Sequence, residues 1–185
     1  MSVKSKSSSP KLDYLALATG SNDFLDDVLA KGVMPDPKAL AGWEFRGFNT
    51  LDVTLLAGIR KFKKGFYLDG DVVRGYNVKI KPGKAGLLDP WVETVKNGTS
   101  VKHGWYDVYP VRAEETDNLY PNALLLNYAS DKNPKFDPSR FLRDYLVQVD
   151  PDNPDLLLGK AYVALGAKRL FVSFFILQRA NPSTL

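Results

Sequence analysis

The sequence predicts a mainly β protein built as a single antiparallel β-barrel of about eight strands. Two observations predict this fold. From Trp43 onward, short runs rich in aromatic and β-branched residues recur at close intervals and are separated by turn-forming residues. No strand-helix-strand alternation runs through the chain, which argues against a parallel sheet. The barrel is expected to carry an N-terminal helix and a short helix after the first strand.

The composition excludes several classes of function. The 185 residues include no cysteine and one histidine, so the chain offers no disulfide framework, thiolate zinc site, iron-sulfur cluster or polyhistidine metal site. We therefore expect no metal and no cofactor. A net charge of +4 is too mild for an obligate nucleic-acid binder, and no nucleic-acid partner is expected. The unusual figures are 3 Trp, 9 Tyr and 10 Phe.

Residues 1–11 are mostly serine and lysine, which predicts a disordered, weakly basic tail. They lack the apolar run of a secretory leader or a membrane span, so a cytoplasmic protein with no membrane span is expected. Residues 12–185 form one domain, long enough to bury a core.

Local signals divide the domain into elements. A helix is predicted over Asn22–Lys31, with Ser21 or Asn22 as its cap and Gly32 as its stop. Further helices are predicted over Leu51–Phe62, over Pro90–Lys96, and as a short turn after Asp137-Pro138. The predicted strands are Trp43–Asn49, Gly65–Asp69, Val72–Lys81, Lys102–Val111, Ala123–Ser130, Tyr145–Asp150, Leu156–Ala164 and Leu170–Arg179.

Alternation along the strands predicts their faces. In the third run, Tyr76, Val78 and Ile80 share an apolar face opposite a polar one. The last run is apolar on both faces, which indicates a strand covered on both sides. The first helix or a second copy of the chain, in a homodimer, would supply the cover.

A barrel of this size is either filled by side chains or holds one small ligand. Glycines in the aromatic strands favour a space inside, because they permit bending and occupy little volume. They are Gly47, Gly65, Gly75, Gly104 and Gly159. Polar groups on otherwise apolar runs also favour a ligand site, and these are Arg74, Asn127, Arg143, Gln148, Lys160 and Ser173. A packed core without a cavity stays open as the alternative.

Ala41-Gly42-Trp43 opens the first strand, and Arg179 closes the last one. This arrangement resembles the lipocalin or calycin pattern, in which a glycine shortly before a tryptophan begins the barrel and a late arginine packs across the indole. Here the glycine directly precedes Trp43, one position from the family's spacing. The resemblance implies a cup-shaped barrel that binds a small apolar molecule.

Two Arg-x-Tyr pairs, Arg74 with Tyr76 and Arg143 with Tyr145, suit a ligand carboxylate. Residues two apart on a strand face the same way, so a guanidinium and a phenol could bind one carboxylate together. Arg143 and Tyr145 are similar to a pair in intracellular fatty-acid-binding barrels. The alternative is that both arginines lie at the surface. The predicted ligand-binding residues are Trp43, Arg74, Tyr76, Trp105, Tyr128, Arg143 and Tyr145.

The single histidine lies in the run Lys102–Asp107. Regular alternation would put His103, Trp105 and Asp107 on one face, where a carboxylate could make the imidazole a usable base. A structural histidine is the alternative.

The basic run Arg60–Lys64 is interpreted as a solvated helix end, with contact to phosphate or anionic lipid as the other possibility.

These patterns leave three hypotheses. The first is binding of a small hydrophobic ligand, with or without a carboxylate, inside the barrel. The alternative is a cofactor-free acid-base enzyme of the isomerase, cyclase or dehydratase type that uses His103 and Asp107. The third is a structural or dimer-forming protein with no ligand. The sequence offers no nucleophile elbow, phosphate loop or dinucleotide fingerprint.

Overall fold

Eight antiparallel strands close into a barrel in the computed structural model, which describes residues 12–51, 59–83 and 86–185. Two further short strands form a separate hairpin. In chain order the strands are β1 (Trp43–Asn49), β2 (Lys61–Asp69), β3 (Val72–Val78), β4 (Val95–Lys96), β5 (Thr99–Ser100), β6 (Lys102–Pro110), β7 (Leu124–Asn127), β8 (Leu142–Gln148), β9 (Leu156–Leu165) and β10 (Lys168–Pro182).

The barrel strands follow one another in space as they do along the chain. Their order is β1, β2, β3, β6, β7, β8, β9 and β10, and each pairs antiparallel with its neighbours. The last strand returns to the first, with Arg179 of β10 opposite Phe45 of β1. The β4–β5 hairpin lies in the connection between β3 and β6. The predicted mainly β fold, an antiparallel barrel of about eight strands, is confirmed.

All eight predicted runs are strands, and all but the first have shifted ends. The bounds of β1 are those predicted, whereas β2 begins at Lys61 rather than Gly65. The basic run Arg60–Lys64 therefore lies mostly in a strand, and the prediction of a solvated helix end is wrong for it. Lys61, Lys63 and Lys64 are all buried.

The helix predicted over Pro90–Lys96 is also wrong. The Thr94 amide donates to the Lys79 carbonyl at 2.8 Å, and the Lys81 amide donates to the Val92 carbonyl at 2.7 Å. Backbone groups bound to a neighbouring strand are not available for the i to i−4 bonds of a helix. The segment is therefore extended, and its last two residues form β4.

Two further predictions fall largely outside the described residues. The predicted tail, residues 1–11, is one of them. The other is the helix over Leu51–Phe62, of which 52–58 are not described, while Lys61 and Phe62 belong to β2.

Three short helices precede the barrel: α1 (Tyr14–Ala18), α2 (Asn22–Lys31) and α3 (Pro37–Leu40). The predicted bounds of α2 are confirmed. Its cap Ser21 accepts a hydrogen bond from the Phe24 amide at 3.3 Å, and the helix ends at Gly32. A 3-10 helix, Pro138–Phe141, occupies the turn predicted after Asp137. Within the described residues, no helix has the length and apolar character needed to cross a membrane.

The first two helices cover the outside of the barrel. Leu17 of α1 and Leu25 of α2 are buried in one cluster with Phe174 and Ile176 of β10. Phe175 and Leu177 alternate with Phe174 and Ile176 along β10. They face the opposite side of the strand and are buried in the barrel interior. The two-sided apolar character of β10 is thus explained within the chain, by helices outside and the barrel core inside.

One end of the barrel is filled with side chains. Leu40 of α3 lies there in a cluster of buried residues with Phe45, Phe66, Tyr106, Leu124 and Leu177. Trp43 and Arg179 lie at the same end, with the guanidinium carbon 4.6 Å from the centre of the indole ring. We call this the closed end, and the opposite end, where β1 ends and β2 begins, the open end.

Aromatic rings lie flat over glycines of the neighbouring strand. A Cβ atom added at Gly159 would come within 2.0 Å of the Phe175 ring, and one added at Gly75 within 2.1 Å of the Tyr106 ring. Both distances are far below van der Waals contact, so only glycine leaves space for these rings. The rings are thereby held against the barrel wall.

Candidate functional site

A cavity of about 660 Å³ opens at the open end of the barrel. Its walls are mainly apolar, and its floor is formed by polar side chains from β2, β3 and β8. The residues that line it are Asn49, Ile59, Lys61, Phe62, Lys64, Asn77, Val78, Lys79, Ile80, Pro82, Val101, His103, Tyr128, Leu142, Asp144, Ala161, Val172, Ser173 and Phe175.

An ion pair between Lys64 of β2 and Asp144 of β8 forms the floor. The Lys64 Nζ lies 2.9 Å from Asp144 Oδ2, and the side chains are only 3% and 5% exposed. The two residues are 80 positions apart in the chain and meet because their strands face each other across the barrel. Burying two charges is costly unless they are paired and hydrogen-bonded, which is the case here.

Tyr128 and Asn77 complete the hydrogen bonding of this pair. Besides Asp144, the Lys64 ammonium donates to Tyr128 Oη and, at 3.2 Å, to Asn77 Oδ1. Tyr128 donates its hydroxyl proton to Asp144 Oδ2 at 3.1 Å. An ammonium group has three protons, so the donors of Lys64 are fully used. Asp144 Oδ1 accepts no hydrogen bond from the described residues.

Burial sets the acid-base character of the floor. It lowers the pKa of Lys64, and the attraction of Asp144 opposes this effect without cancelling it. Burial also raises the pKa of Tyr128 well above its usual value, and the neighbouring Asp144 charge raises it further. Tyr128 is therefore a protonated hydrogen-bond donor at neutral pH, and Lys64 holds its proton less firmly than a lysine in water.

Aromatic rings surround the Lys64 ammonium. Its Nζ lies 4.9 Å from the ring centre of Tyr106, 5.0 Å from Tyr128, 5.2 Å from Phe175 and 5.4 Å from Phe62. At these distances the ring faces attract a cation. The cage partly compensates for the loss of water around the charge.

His103 reaches the cavity because of a bulge in β6. Gly75 of β3 pairs with Tyr106 and Asn77 pairs with His103, so two residues of β6 oppose one residue of β3. Gly104, at the bulge, has a φ of +54°, a left-handed conformation that favours glycine. The bulge reverses the alternation and brings His103 to the cavity.

The predicted neighbourhood of His103 and Asp107 is not formed. Asp107 lies on the outer face of β6, where its Oδ1 is 3.5 Å from the Nε of Arg74. Regular alternation, on which the prediction depended, fails at the bulge. Desolvation at the cavity mouth lowers the pKa of His103, and the positive charges of Lys64 and Lys79 lower it further.

The cavity contains one of the seven predicted ligand-binding residues, Tyr128. The first Arg-x-Tyr pair does share a face, but it is the outer face of β3. Arg74 lies 3.1 Å from Asp131, and the Tyr76 hydroxyl donates to Glu44 Oε1 at 2.8 Å. Neither side chain is directed to the cavity, so the pair has acidic partners instead of a ligand.

The second pair is also on the outside. Arg143 Nε donates to Asp117 at 2.9 Å, and Tyr145 is buried beside the N-terminal helices.

The remaining two predicted ligand-binding residues are tryptophans. Trp43 lies under Arg179 at the closed end, and Trp105 packs on Tyr76 at a ring distance of 5.6 Å. All six residues serve packing or ion pairing away from the cavity.

Sequence reasoning missed Lys64, Asn77 and Asp144. A signal was present for Lys64, because its strand position shares a face with Phe62 and Phe66. Asp144 likewise shares a face with Leu142 and Leu146. A charged residue on an apolar strand face indicates a buried polar site. Ser173, predicted as one of the polar groups in apolar runs, does line the cavity.

Lys64, Tyr128 and Asp144 are hydrogen-bonded to one another, so a proton can pass among these three groups on the cavity floor. The described residues include no group of three or more acidic or histidine side chains placed to hold a metal ion. Comparison with protein-family models, with curated protein sequences and with solved structures found no match to this chain. The geometry of the cavity is therefore the basis for assigning a function.

Proposed function

We propose that the barrel binds a small hydrophobic molecule in its cavity. The observation that carries the proposal is an open cavity of about 660 Å³ with mainly apolar walls and a polar, hydrogen-bonded floor. Ligand sites in proteins are clefts of about 300–1,000 Å³, lined mainly by apolar side chains with a few polar groups that fix orientation. The cavity agrees with this description in volume and in lining.

The floor favours a neutral oxygen function on the ligand. Lys64 has no free proton to donate, and a carboxylate placed there would lie beside the Asp144 charge. A carboxylated ligand would instead carry its acid group at the mouth, where Lys79 lines the cavity. An alcohol suits this floor because its hydroxyl can donate to Asp144 Oδ1, whereas a carbonyl oxygen can accept a proton there only when Lys64 gives up one of its present hydrogen bonds.

The contact between Arg179 and Trp43 supports the inclusion of the chain among the lipocalin and calycin barrels. In that family a late arginine packs across a tryptophan of the first strand, and the two groups lie 4.6 Å apart here. We propose this relationship together with the binding function. A cytoplasmic location and a homodimer stay predictions from the sequence.

Titration with Nile red, a neutral dye that fluoresces in apolar surroundings, tests the proposal. The wild-type protein should bind the dye. Val172→Trp should lower the affinity at least about tenfold, or about 1.4 kcal/mol, because Val172 lines the cavity and the larger ring fills it. Leu170→Trp is the matched control on the same strand, since Leu170 is half exposed.

Equal dye affinity of wild-type protein and Val172→Trp, with both folded, would exclude the cavity as the binding site. Native mass spectrometry of the protein purified from its own cells gives a second readout. A co-purifying small molecule, displaced by octanol, is the expected result. A clean mass of the unliganded chain, together with the absence of dye binding, would contradict the function.

A second candidate function, acid-base catalysis without a cofactor, is favoured by the placement of His103, Tyr128 and Asp144 on one cavity. Asp144 takes the role that the sequence suggested for Asp107. Nitrobenzisoxazole, a probe that opens when a base removes its ring proton, would test this function. His103→Gln should abolish turnover above the solution rate, and an unchanged rate would exclude His103 as the base.

A further inference from the structure

Two lysines of this chain have similar surroundings but differ in access to the cavity. Lys160 on the outer face of β9 pairs with Asp26 and lies 4.8 Å from the ring centre of Phe174. Lys64 has the same kind of environment inside the barrel, with Asp144 and four rings. Asp26 is about half exposed, whereas Asp144 is buried, and of the two lysines Lys64 lines the cavity.

An amine attacks other molecules only when it is neutral. A lysine with the ordinary pKa is neutral in roughly one molecule in 2,500 at pH 7, and each unit by which the pKa is lowered increases this fraction about tenfold. Burial lowers the pKa of Lys64. Because Nζ and Asp144 Oδ2 are 2.9 Å apart, the proton can move along the hydrogen bond to Asp144, which leaves two neutral groups in the apolar interior.

We propose that Lys64 is a nucleophile that captures the carbonyl carbon of an aldehyde ligand as an imine. This inference rests on the proposed binding function, because the aldehyde must first enter the cavity. The ligand is then an aldehyde with an apolar chain, and the buried Lys64 has a role beyond the support of the fold.

The reaction balances with the groups of the floor. The Lys64 ammonium gives one proton to Asp144, and the nitrogen lone pair then forms a bond to the carbonyl carbon while the carbonyl π electrons move to oxygen. One proton then passes from nitrogen to this oxygen, which gives the neutral carbinolamine. The nitrogen lone pair expels the hydroxyl, protonated by Tyr128, as water and forms the carbon-nitrogen double bond of a protonated imine beside the Asp144 carboxylate. Amine and aldehyde thus yield imine and one water.

Tyr128 and Asp144 have defined parts in this sequence. Tyr128 donates a proton to the departing hydroxyl and recovers one from Asp144 through the hydrogen bond of 3.1 Å. Asp144 Oδ1, which accepts no hydrogen bond from the described residues, is available for the carbinolamine hydroxyl. Lys61 is less suited, because its Nζ donates to the Asp89 carbonyl at 2.7 Å and lies 4.2 Å from the Trp91 ring.

Reductive trapping tests the proposal. The full chain is incubated with octanal and cyanoborohydride, which reduces an imine to a stable secondary amine, and the modified lysine is located by peptide mapping. Lys64 should be labelled at least about tenfold faster than Lys160 and the exposed lysines, since its neutral fraction is larger. Excess octanol, which occupies the cavity without reacting, should slow the labelling of Lys64 selectively.

Variants separate the nucleophile from its surroundings. Lys160→Met should leave the labelling of Lys64 unchanged. Lys64→Met should remove it, and the double variant Lys64→Met with Asp144→Leu does the same without leaving a buried charge unpaired. Because Lys64 and Asp144 both line the cavity, far-UV circular dichroism and urea unfolding, rather than dye binding, show that the double variant is folded.

Each outcome has a separate meaning. Labelling spread over exposed lysines with Lys64 unmodified, while Nile red binds, would overturn the imine proposal and leave the binding function standing. Absence of dye binding together with an unmodified Lys64 would overturn both. Labelling of Lys64 that octanol does not slow would also count against a reaction inside the cavity.

Discussion

The guanidinium of Arg179 lies over the indole of Trp43, 4.6 Å from the ring centre, and joins the last barrel strand to the first. The same guanidinium is 5.3 Å from the centre of the Phe45 ring and 2.6 Å from Asp155 Oδ1. The contact therefore lies where β1 and β10 pair, and it covers the closed end of the barrel.

We expect Trp43 and Arg179 to stabilise the barrel as a pair. In a double-mutant cycle with Trp43→Leu and Arg179→Met, the coupling energy should be about 0.5–2 kcal/mol, the range for a partly buried cation over a ring. Urea unfolding gives the free energies. Asp155→Asn is the control and should cost less than about 1 kcal/mol, since Asp155 is mostly exposed. A coupling energy of zero would contradict this role.

Two tyrosines should respond in opposite ways to the loss of a hydroxyl. The Tyr14 hydroxyl is buried and has no hydrogen-bond partner among the described residues, so Tyr14→Phe should raise the free energy of unfolding by about 1 kcal/mol. The Tyr76 hydroxyl is hydrogen-bonded to Glu44 and to Ser183, each at 2.8 Å, so Tyr76→Phe should lower it by about 1–3 kcal/mol. Urea unfolding of both variants checks the signs, and a loss of stability in both would refute the assignment for Tyr14.

The single histidine should titrate below its usual range. Desolvation, with Lys64 and Lys79 nearby, lowers the pKa of His103 in the folded protein. Between that pKa and about 6.5, the unfolded chain binds the proton more strongly, so this group makes the folded state less stable as the pH falls through this window. NMR titration of the imidazole measures the pKa directly, and His103→Gln should remove this part of the pH dependence. A folded-state pKa above 6.5 would contradict the placement.

Gly159 should keep the cavity open, because the Phe175 ring lies against it and lines the cavity. In Gly159→Ala, the new methyl group would lie 2.0 Å from the Phe175 ring, so the ring must move, and it lines the cavity. We expect a loss of about 1–3 kcal/mol in stability and weaker Nile red binding. Gly83→Ala is the control, because no atom of the described part of the chain lies within 4 Å of its Cβ position, and it should change neither quantity. Unaltered dye affinity of Gly159→Ala would contradict this prediction, because it would mean that the displaced Phe175 ring does not enter the cavity.

The sequence predicts the barrel well because its signals are local. Alternation and turn residues act over a few positions, and all eight strands follow from them. The cavity floor depends on contacts that are distant in the chain. Alternation with Phe62 and Phe66 places Lys64 on an apolar face, but its charged partner there, Asp144, is 80 residues away, and nothing within Arg60–Lys64 identifies that partner.

His103 illustrates a different limit. One residue with a left-handed backbone, Gly104, shifts the alternation of β6 and exchanges the faces of all residues before it. A glycine within a strand often marks a bulge or a bend, but it does not indicate which of the two is present. The sequence does not specify whether His103 or its neighbour faces the interior, and the assignment to Asp107 failed for this reason.

The pairing of β10 with β1 has a consequence for the order of folding. Strands that are neighbours along the chain can pair as soon as both have been synthesised. The pairing of β1 with β10 is different, because the hydrogen bond from Arg46 to Gln178 joins residues 132 positions apart. Such distant contacts form late because a long loop must be closed first. During synthesis, a chain that lacks β10 has two unpaired strand edges, on β1 and β9, which invite association with other chains. We therefore expect the cavity to come into existence only when the final strand leaves the ribosome and the barrel closes.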